Sequence, residues 1–270
     1  MSIYDWGKFG FHIPEIMIPK DGTDYGKWAV VACDQYTSEP EYWEDAEKIV
    51  GDAPSTLRLM LPEIYLEKEG EAEKIAKIRE TMARYMEDGT LQKLPKGCML
   101  VHRTAEGRSR VGLVIATDLE SYDFNRGSSS LTRATEGTVV ERIPPRLRIR
   151  EGAPIELPHI LILIDDPEKT VIEPLENAPK KQIYDTDLMK DGGHISGDFI
   201  EEKDLEGMKE ALSKLFDNAV EKYGDGQVIF QAMGDGNHSL ATAKTNWENL
   251  KKTLSPEEIE NHPARFALCE

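Results

Sequence analysis

IFQAMGDGNHSLATAKTNWENL (229–250) is an apolar run that breaks into Gly-Asp-Gly-Asn-His-Ser and resumes with Ala and Leu at helical spacing. A β-rich segment, a glycine corner and a 3.6-residue periodicity predict strand, tight turn and helix. In that arrangement the first amides of the helix lack intrahelical partners and converge on the corner, where they attract an anion. Gly234 and Gly236 permit positive φ and close backbone approach, and Asn237 or Ser239 is suited to cap the first turn. Asp235 is a candidate to hold magnesium through water or to orient a neighbour, and His238 to contact a phosphate or move a proton. The competing reading is a well-capped helix whose polar residues satisfy backbone donors. The corner is not a Walker A loop, because Gly-Lys-Ser/Thr is missing, and it is not a dinucleotide fingerprint.

The chain has 270 residues, of which 39% are hydrophobic and 31% charged, the composition of an ordinary globular protein. No apolar run approaches a bilayer span, and the N-terminus lacks a basic segment followed by an apolar one, so a cytoplasmic location with no membrane partner is expected. Cys33, Cys98 and Cys269 stand at wide spacings without a C-x-x-C pair, which predicts free thiols in a reducing compartment. The net charge of -17 argues against a surface that grips nucleic acid, so any anion site is a local exception to an acidic protein.

Amphipathic spacing predicts helices over 39–50 and 67–88, and over 201–223 through Leu205, Met208, Leu212, Leu215, Phe216 and Val220. Segments 98–102 and 110–117 predict a hairpin, and 181–189 with 194–200 flank Asp191-Gly192-Gly193 as a second strand-turn-strand unit. Segment 157–165 reads as a buried strand, 28–32 as a strand before Asp34, and 227–232 as the strand before the corner. These elements define a mixed α/β chain of the α+β class, divided into an N-terminal α/β region at 1–125 and a region at 126–270, with a junction over 125–130. The final residues, ARFALCE, read as a strand cut short, so a truncated chain is expected.

MGDGNHSLATAK (233–244), VACDQYTSEPEYW (31–43), PSTLRLMLPEIYL (54–66), RATEGTVVERIPPRLRIR (133–150) and YDTDLMKDGGHISG (184–197) together resemble the family catalogued as domain of unknown function one thousand and fifteen. Members generally extend beyond the point where this chain stops. The Asp-Gly-x-His corner also resembles the phosphate-binding motif of the ParB/sulfiredoxin superfamily, which includes CTP-hydrolysing partition proteins and nucleotide-dependent free-serine kinases. The resemblance implies a ParB/sulfiredoxin-like core over 126–270 and a kinase-like, nucleotide-dependent chemistry using ATP, ADP or CTP with magnesium. Many of those relatives read Asp-Gly-His-His-Arg, whereas this chain has Asp235-Gly236-Asn237-His238-Ser239. The guanidinium that grips a phosphate bidentately is therefore missing from the corner itself.

Residues 126–150 offer a replacement, with Arg126, Arg133, Arg142, Arg146, Arg148 and Arg150 against Glu136 and Glu141. Arg133 and Arg142 are assigned to phosphate, and Glu136 to base or metal chemistry, at a position where the family motif is often Arg-His-Glu and this chain has Thr135. Pro144 and Pro145 are expected to hold the segment extended, which would point alternate arginines in opposite directions. Asp34 is a further carboxylate for substrate or metal, or a turn cap, and His194 a candidate wall of the same pocket. Asp165-Asp166 reads as a turn or a cation site, and His12, His102, His159 and His262 receive no role. Phosphoryl transfer needs positioning, magnesium, cationic stabilisation and a carboxylate near the attacking hydroxyl, and these residues supply each part. The alternative is a non-enzymatic module that binds a phosphorylated or carboxylated metabolite. A DNA-associated function is disfavoured by the acidic charge.

Overall fold

The computed structural model describes residues 5–270 apart from 225 and 227. Eleven strands occur among the described residues: β1 (Phe11–His12), β2 (Glu15–Pro19), β3 (Leu91–Ala105), β4 (Arg108–Asp118), β5 (Tyr122–Asp123), β6 (Thr132–Arg133), β7 (Leu161–Leu163), β8 (Lys181–Asp187), β9 (His194–Glu201), β10 (Gln231–Asp235) and β11 (Phe266–Cys269). The α-helices are α1 (Tyr25–Trp28), α2 (Pro40–Val50), α3 (Glu71–Glu87), α4 (Ile143–Arg150), α5 (Glu206–Tyr223), α6 (Asn237–Lys251) and α7 (Pro256–Asn261). The fold is mixed α+β. No helix is long and apolar enough to cross a membrane among the described residues.

A seven-stranded sheet has the order β1-β4-β3-β9-β8, with β11 also on β4 and β2 also on β3. Both predicted hairpins, β3–β4 and β8–β9, form antiparallel pairs in it. Alternation along β3 sends Cys98 and Leu100 into the core beneath α5, and Met99 and Val101 into an opposite cluster with Ile16 and Phe199. A four-stranded sheet follows the order β5-β6-β10-β7, with the first three strands parallel and β7 antiparallel.

The sheets do not follow the expected division at 125/126. The larger takes β1 to β4 from one side of that boundary and β8, β9 and β11 from the other, while β5 from the first part lies in the smaller sheet. Buried Gln231 of β10 ties the smaller sheet to the turn that precedes β1, donating to Phe9 O at 2.6 Å and accepting from Thr132 Oγ1 of β6 at 3.0 Å. After β11, Glu270 continues the link, its amide donating to Ile160 O at 2.9 Å and its carbonyl accepting from Ile162 N at 2.8 Å.

Four expectations need correction. Pro144 and Pro145 lie in the first turn of α4, where amides have no intrahelical partner, so the arginine-rich segment coils instead of extending. Segment 28–32 is not a strand: Trp28 closes α1, Ser55 and Thr56 hydroxyls donate to its carbonyl at 3.2 and 2.8 Å, and Val30 N donates to Thr56 Oγ1 at 3.3 Å. Side chains thus satisfy backbone groups that a strand partner would otherwise take. Strand β7 covers three residues at a sheet edge, and its Leu163 is 60% exposed, so 157–165 is not a buried strand. Strand β10 begins at Gln231 and reaches Asp235, later than the expected 227–232; Gln227 itself lies outside the described residues.

Candidate functional site

The corner between β10 and α6 is built by its glycines in two different ways. Gly236 has φ +83°, the left-handed region, and terminates the strand. Gly234 is not left-handed; it sits at the irregularity of the β10–β7 pairing, where a Cβ would stand 3.3 Å from Leu161 O. Asp235 Oδ1 accepts from Gly236 N at 2.7 Å, and Thr135 Oγ1 donates to Met233 O at 2.9 Å, which fastens the preceding loop alongside the strand end.

Helix α6 starts at Asn237 with no side-chain cap, and the amides of residues 237–239 have no hydrogen-bond partner among the described residues. Neither Asn237 nor Ser239 caps the helix. Asn237 is buried and its Oδ1 has no partner. The Ser239 hydroxyl instead meets His159 Nε2 at 2.6 Å. Val139 N donates to His238 Nε2 at 3.2 Å, which brings loop 134–139 over the helix start.

Helix α4 packs against α6 and carries the charge. The charges that act on His238 are those of Arg142, Arg146, Glu136 and Glu63, which places all four around it. Arg146 forks onto Glu63 at 2.7 and 2.6 Å and donates to Arg142 O at 2.8 Å. Both partners of that pair are more than four-fifths buried as side chains, so the pair is well shielded from water. Glu63 N donates to Cys33 O at 2.7 Å, which carries the adjoining Asp34 to the edge of the same cluster. Burial, with Asp34 and Glu63 adding to it and Arg146 opposing, pushes the Cys33 thiol up to about 12, so it is protonated and unreactive at neutral pH.

His238 is held below the ordinary histidine value, first by burial and then by Arg142 and Arg146, against the weaker opposing pull of Glu136 and Glu63. It is neutral at pH 7, as its role as acceptor from Val139 N requires. As pH falls below about 6.5, the unfolded chain takes up this proton before the folded one, so the stability present above that value is lost as pH drops through the folded pKa. An NMR titration should place the His238 midpoint below the ordinary value, and Arg142→Gln should move it upward. A midpoint at or above 6.5 in the unaltered protein contradicts this electrostatic arrangement.

Asp235, Gly236, Asn237, His238 and Ser239 thus share one corner with Glu136 and Arg142, and Asp34 borders it. Two assigned residues are elsewhere. Arg133 lies on β6 beside β10, but its guanidinium donates to Ser130 O at 2.8 Å and Val228 O at 3.2 Å, where it acts as a strut. His194 lies on β9 in the larger sheet, its ring between Asp187 and Asp185 of β8 at 2.8 Å each. The hydrogen bond with Asp187, with Asp185 adding its charge, raises the His194 pKa. A cleft of about 530 Å³ between α5 and residues 165–170 includes none of the corner residues. No group of three or more His, Cys, Asp and Glu side chains able to hold a metal occurs among the described residues. Magnesium at Asp235 would therefore take its remaining ligands from substrate phosphates and water, as that ion commonly does.

Sequence reasoning missed His159 and Glu63, whose partners Ser239 and Arg146 stand 80 and 83 residues away along the chain. No local spacing announces such pairs; only the packing of α4 and α6 creates them.

These features define an α+β protein in which an uncapped helix terminus lies beside arginine and carboxylate side chains. The chain belongs to the family described as Protein of unknown function (DUF1015), whose model matches residues 17–270. No curated protein and no solved structure matches it.

Proposed function

We propose that the β10–α6 corner binds the phosphate of a nucleotide or phosphorylated metabolite and that the protein is a nucleotide-dependent phosphotransferase or nucleotide hydrolase. The observation that carries this reading is the set of three consecutive unpartnered amides at the start of a 15-residue helix, with Arg142 nearby, in a chain of net charge -17. In this scheme the amides of 237–239 hold phosphate oxygens and Arg142 neutralises developing charge. Glu136 takes the proton of the attacking hydroxyl. Asp235 together with the phosphates would hold magnesium, which would supply further charge neutralisation. The ParB/sulfiredoxin likeness of the Asp-Gly-x-His corner supports the same assignment, and the acidic charge supports a small-molecule rather than a nucleic-acid ligand.

Titration with ATP, ADP and CTP in magnesium tests this. A ligand at 100 times its Kd adds about 2.7 kcal/mol of stability, a Tm rise of roughly 5–10 °C for a protein of this size. Arg142→Ala should weaken binding about tenfold, the loss of one charge-assisted hydrogen bond. No shift at millimolar nucleotide contradicts the proposal.

A second reading is favoured by the fate of the other arginines. Arg146 is committed to Glu63 and Arg133 to backbone carbonyls, which leaves less cationic stabilisation for a transition state than phosphoryl transfer commonly uses. On that reading the corner is a binding module. Glu136→Gln separates the two: a phosphotransferase keeps binding and loses turnover, whereas a module binds tightly and has no turnover to lose.

A further inference from the structure

The geometry points to Ser239 as a nucleophile. We propose that His159 removes its proton and that Ser239 accepts the terminal phosphoryl group of a nucleoside triphosphate, giving a phosphoserine intermediate. This inference rests on the phosphate-binding reading of the same corner.

Three observations carry it. The first is the Ser239 Oγ to His159 Nε2 contact of 2.6 Å, a serine within hydrogen-bond reach of a base. Both residues are only partly buried, so a ligand has access to them. The second is position. Ser239 is the third residue of α6, so its hydroxyl shares the first turn with the unpartnered amides of 237–239 that would hold the phosphate. The third is Asn237, 7% exposed, whose Oδ1 has no partner although it lies in the same turn. A buried acceptor without a donor is unfavourable, and it marks this turn as one whose polar groups the fold does not itself satisfy.

The step balances as follows. Ser239 Oγ forms a bond to the terminal phosphorus, and the bond from that phosphorus to the bridging oxygen breaks. The nucleoside diphosphate departs with the electron pair, and the hydroxyl proton passes to His159 Nε2. The resulting dianionic phosphoserine sits at a helix N-terminus, where the helix dipole favours it. An acceptor hydroxyl or water then attacks the phosphorus and gives its proton to Glu136. The bond from phosphorus to Oγ breaks with its electron pair on Oγ, and His159 returns its proton there.

The test is incubation of the full chain with magnesium ATP, acid quenching, and peptide mass spectrometry, with ATP binding measured in parallel by calorimetry. One phosphoryl group on Ser239 is expected. Ser239→Ala should abolish it and retain nucleotide binding, and Ser239→Thr should restore a phosphorylated product at the same position. His159→Gln should slow formation by about 100-fold, the usual contribution of a positioned base, with binding retained. Nucleotide binding without a phosphoryl group on Ser239, or with one on another residue, overturns this inference and leaves the phosphate-site reading standing. Absence of nucleotide binding overturns both.

Discussion

Trp247→Ala is expected to cost about 3–5 kcal/mol of folding stability, read as a lowered midpoint in chemical denaturation. Trp247 is fully buried on α6, in a cluster with Leu119, Tyr122, Met233 and Leu240 that joins the site helix to the smaller sheet. Truncation removes that packing and also deletes the indole N–H that donates to Glu120 Oε1 at 2.5 Å. Burial works to raise the Glu120 carboxyl, but hydrogen bonds from Lys251 and Trp247 overcome it and hold it below the usual range. Trp247→Phe keeps most of the apolar volume and loses the donor, so it should cost roughly 1.5–3 kcal/mol, the range for a hydrogen bond to a charged group. Equal losses in the two variants would mean that the polar contact, not the packing, anchors α6.

Gly236→Ala carries the second large effect, and it falls on binding. The left-handed backbone at φ +83° costs a side chain roughly 1–2 kcal/mol. The added Cβ would also stand 3.1 Å from Ile160 Cγ1 and 3.2 Å from Ile160 Cα, so either the corner or residue 160 must shift. Amide groups that hold an anion are sensitive to shifts of that size. Losing one or two charge-assisted hydrogen bonds at roughly 1.5–3 kcal/mol each lowers affinity tenfold or more. Gly107→Ala is the control: it has a similar φ of +72° but open space around it, in the β3–β4 turn. It should show the backbone penalty without any change in ligand affinity. If Gly236→Ala binds nucleotide as tightly as the unaltered chain, the corner is not where the ligand sits.

The strand, glycine turn and helix at 229–250 were legible because each rests on local physics, namely β-rich composition, a residue without Cβ, and 3.6-residue spacing. The hairpins β3–β4 and β8–β9 were legible for the same reason. Proline misled at Pro144-Pro145, since the ring that blocks a helix interior is accommodated in a first turn, and only the following residues reveal which case applies. Trp28 misled because an apolar segment can bury itself against hydroxyl-bearing side chains as well as in a sheet. The organisation of the two sheets was not legible, because it depends on pairings such as β3 with β9 that connect distant parts of the chain. The site shows the same division. The corner and its neighbouring positive charge are local patterns, but the engagement of Arg133 by backbone carbonyls, and the placing of Arg142 beside His238, are set by the folded chain. The Ser239–His159 contact follows in the same way from the route that residues 157–160 take past α6.

The most direct measurement is a structure of the full chain crystallised with a non-hydrolysable nucleoside triphosphate and magnesium. Phosphate oxygens are expected within about 3 Å of the amides of Asn237, His238 and Ser239, the usual hydrogen-bond distance, with Arg142 turned toward them. A nucleotide bound in the cleft along α5, or a corner left empty while nucleotide binds elsewhere, would contradict it.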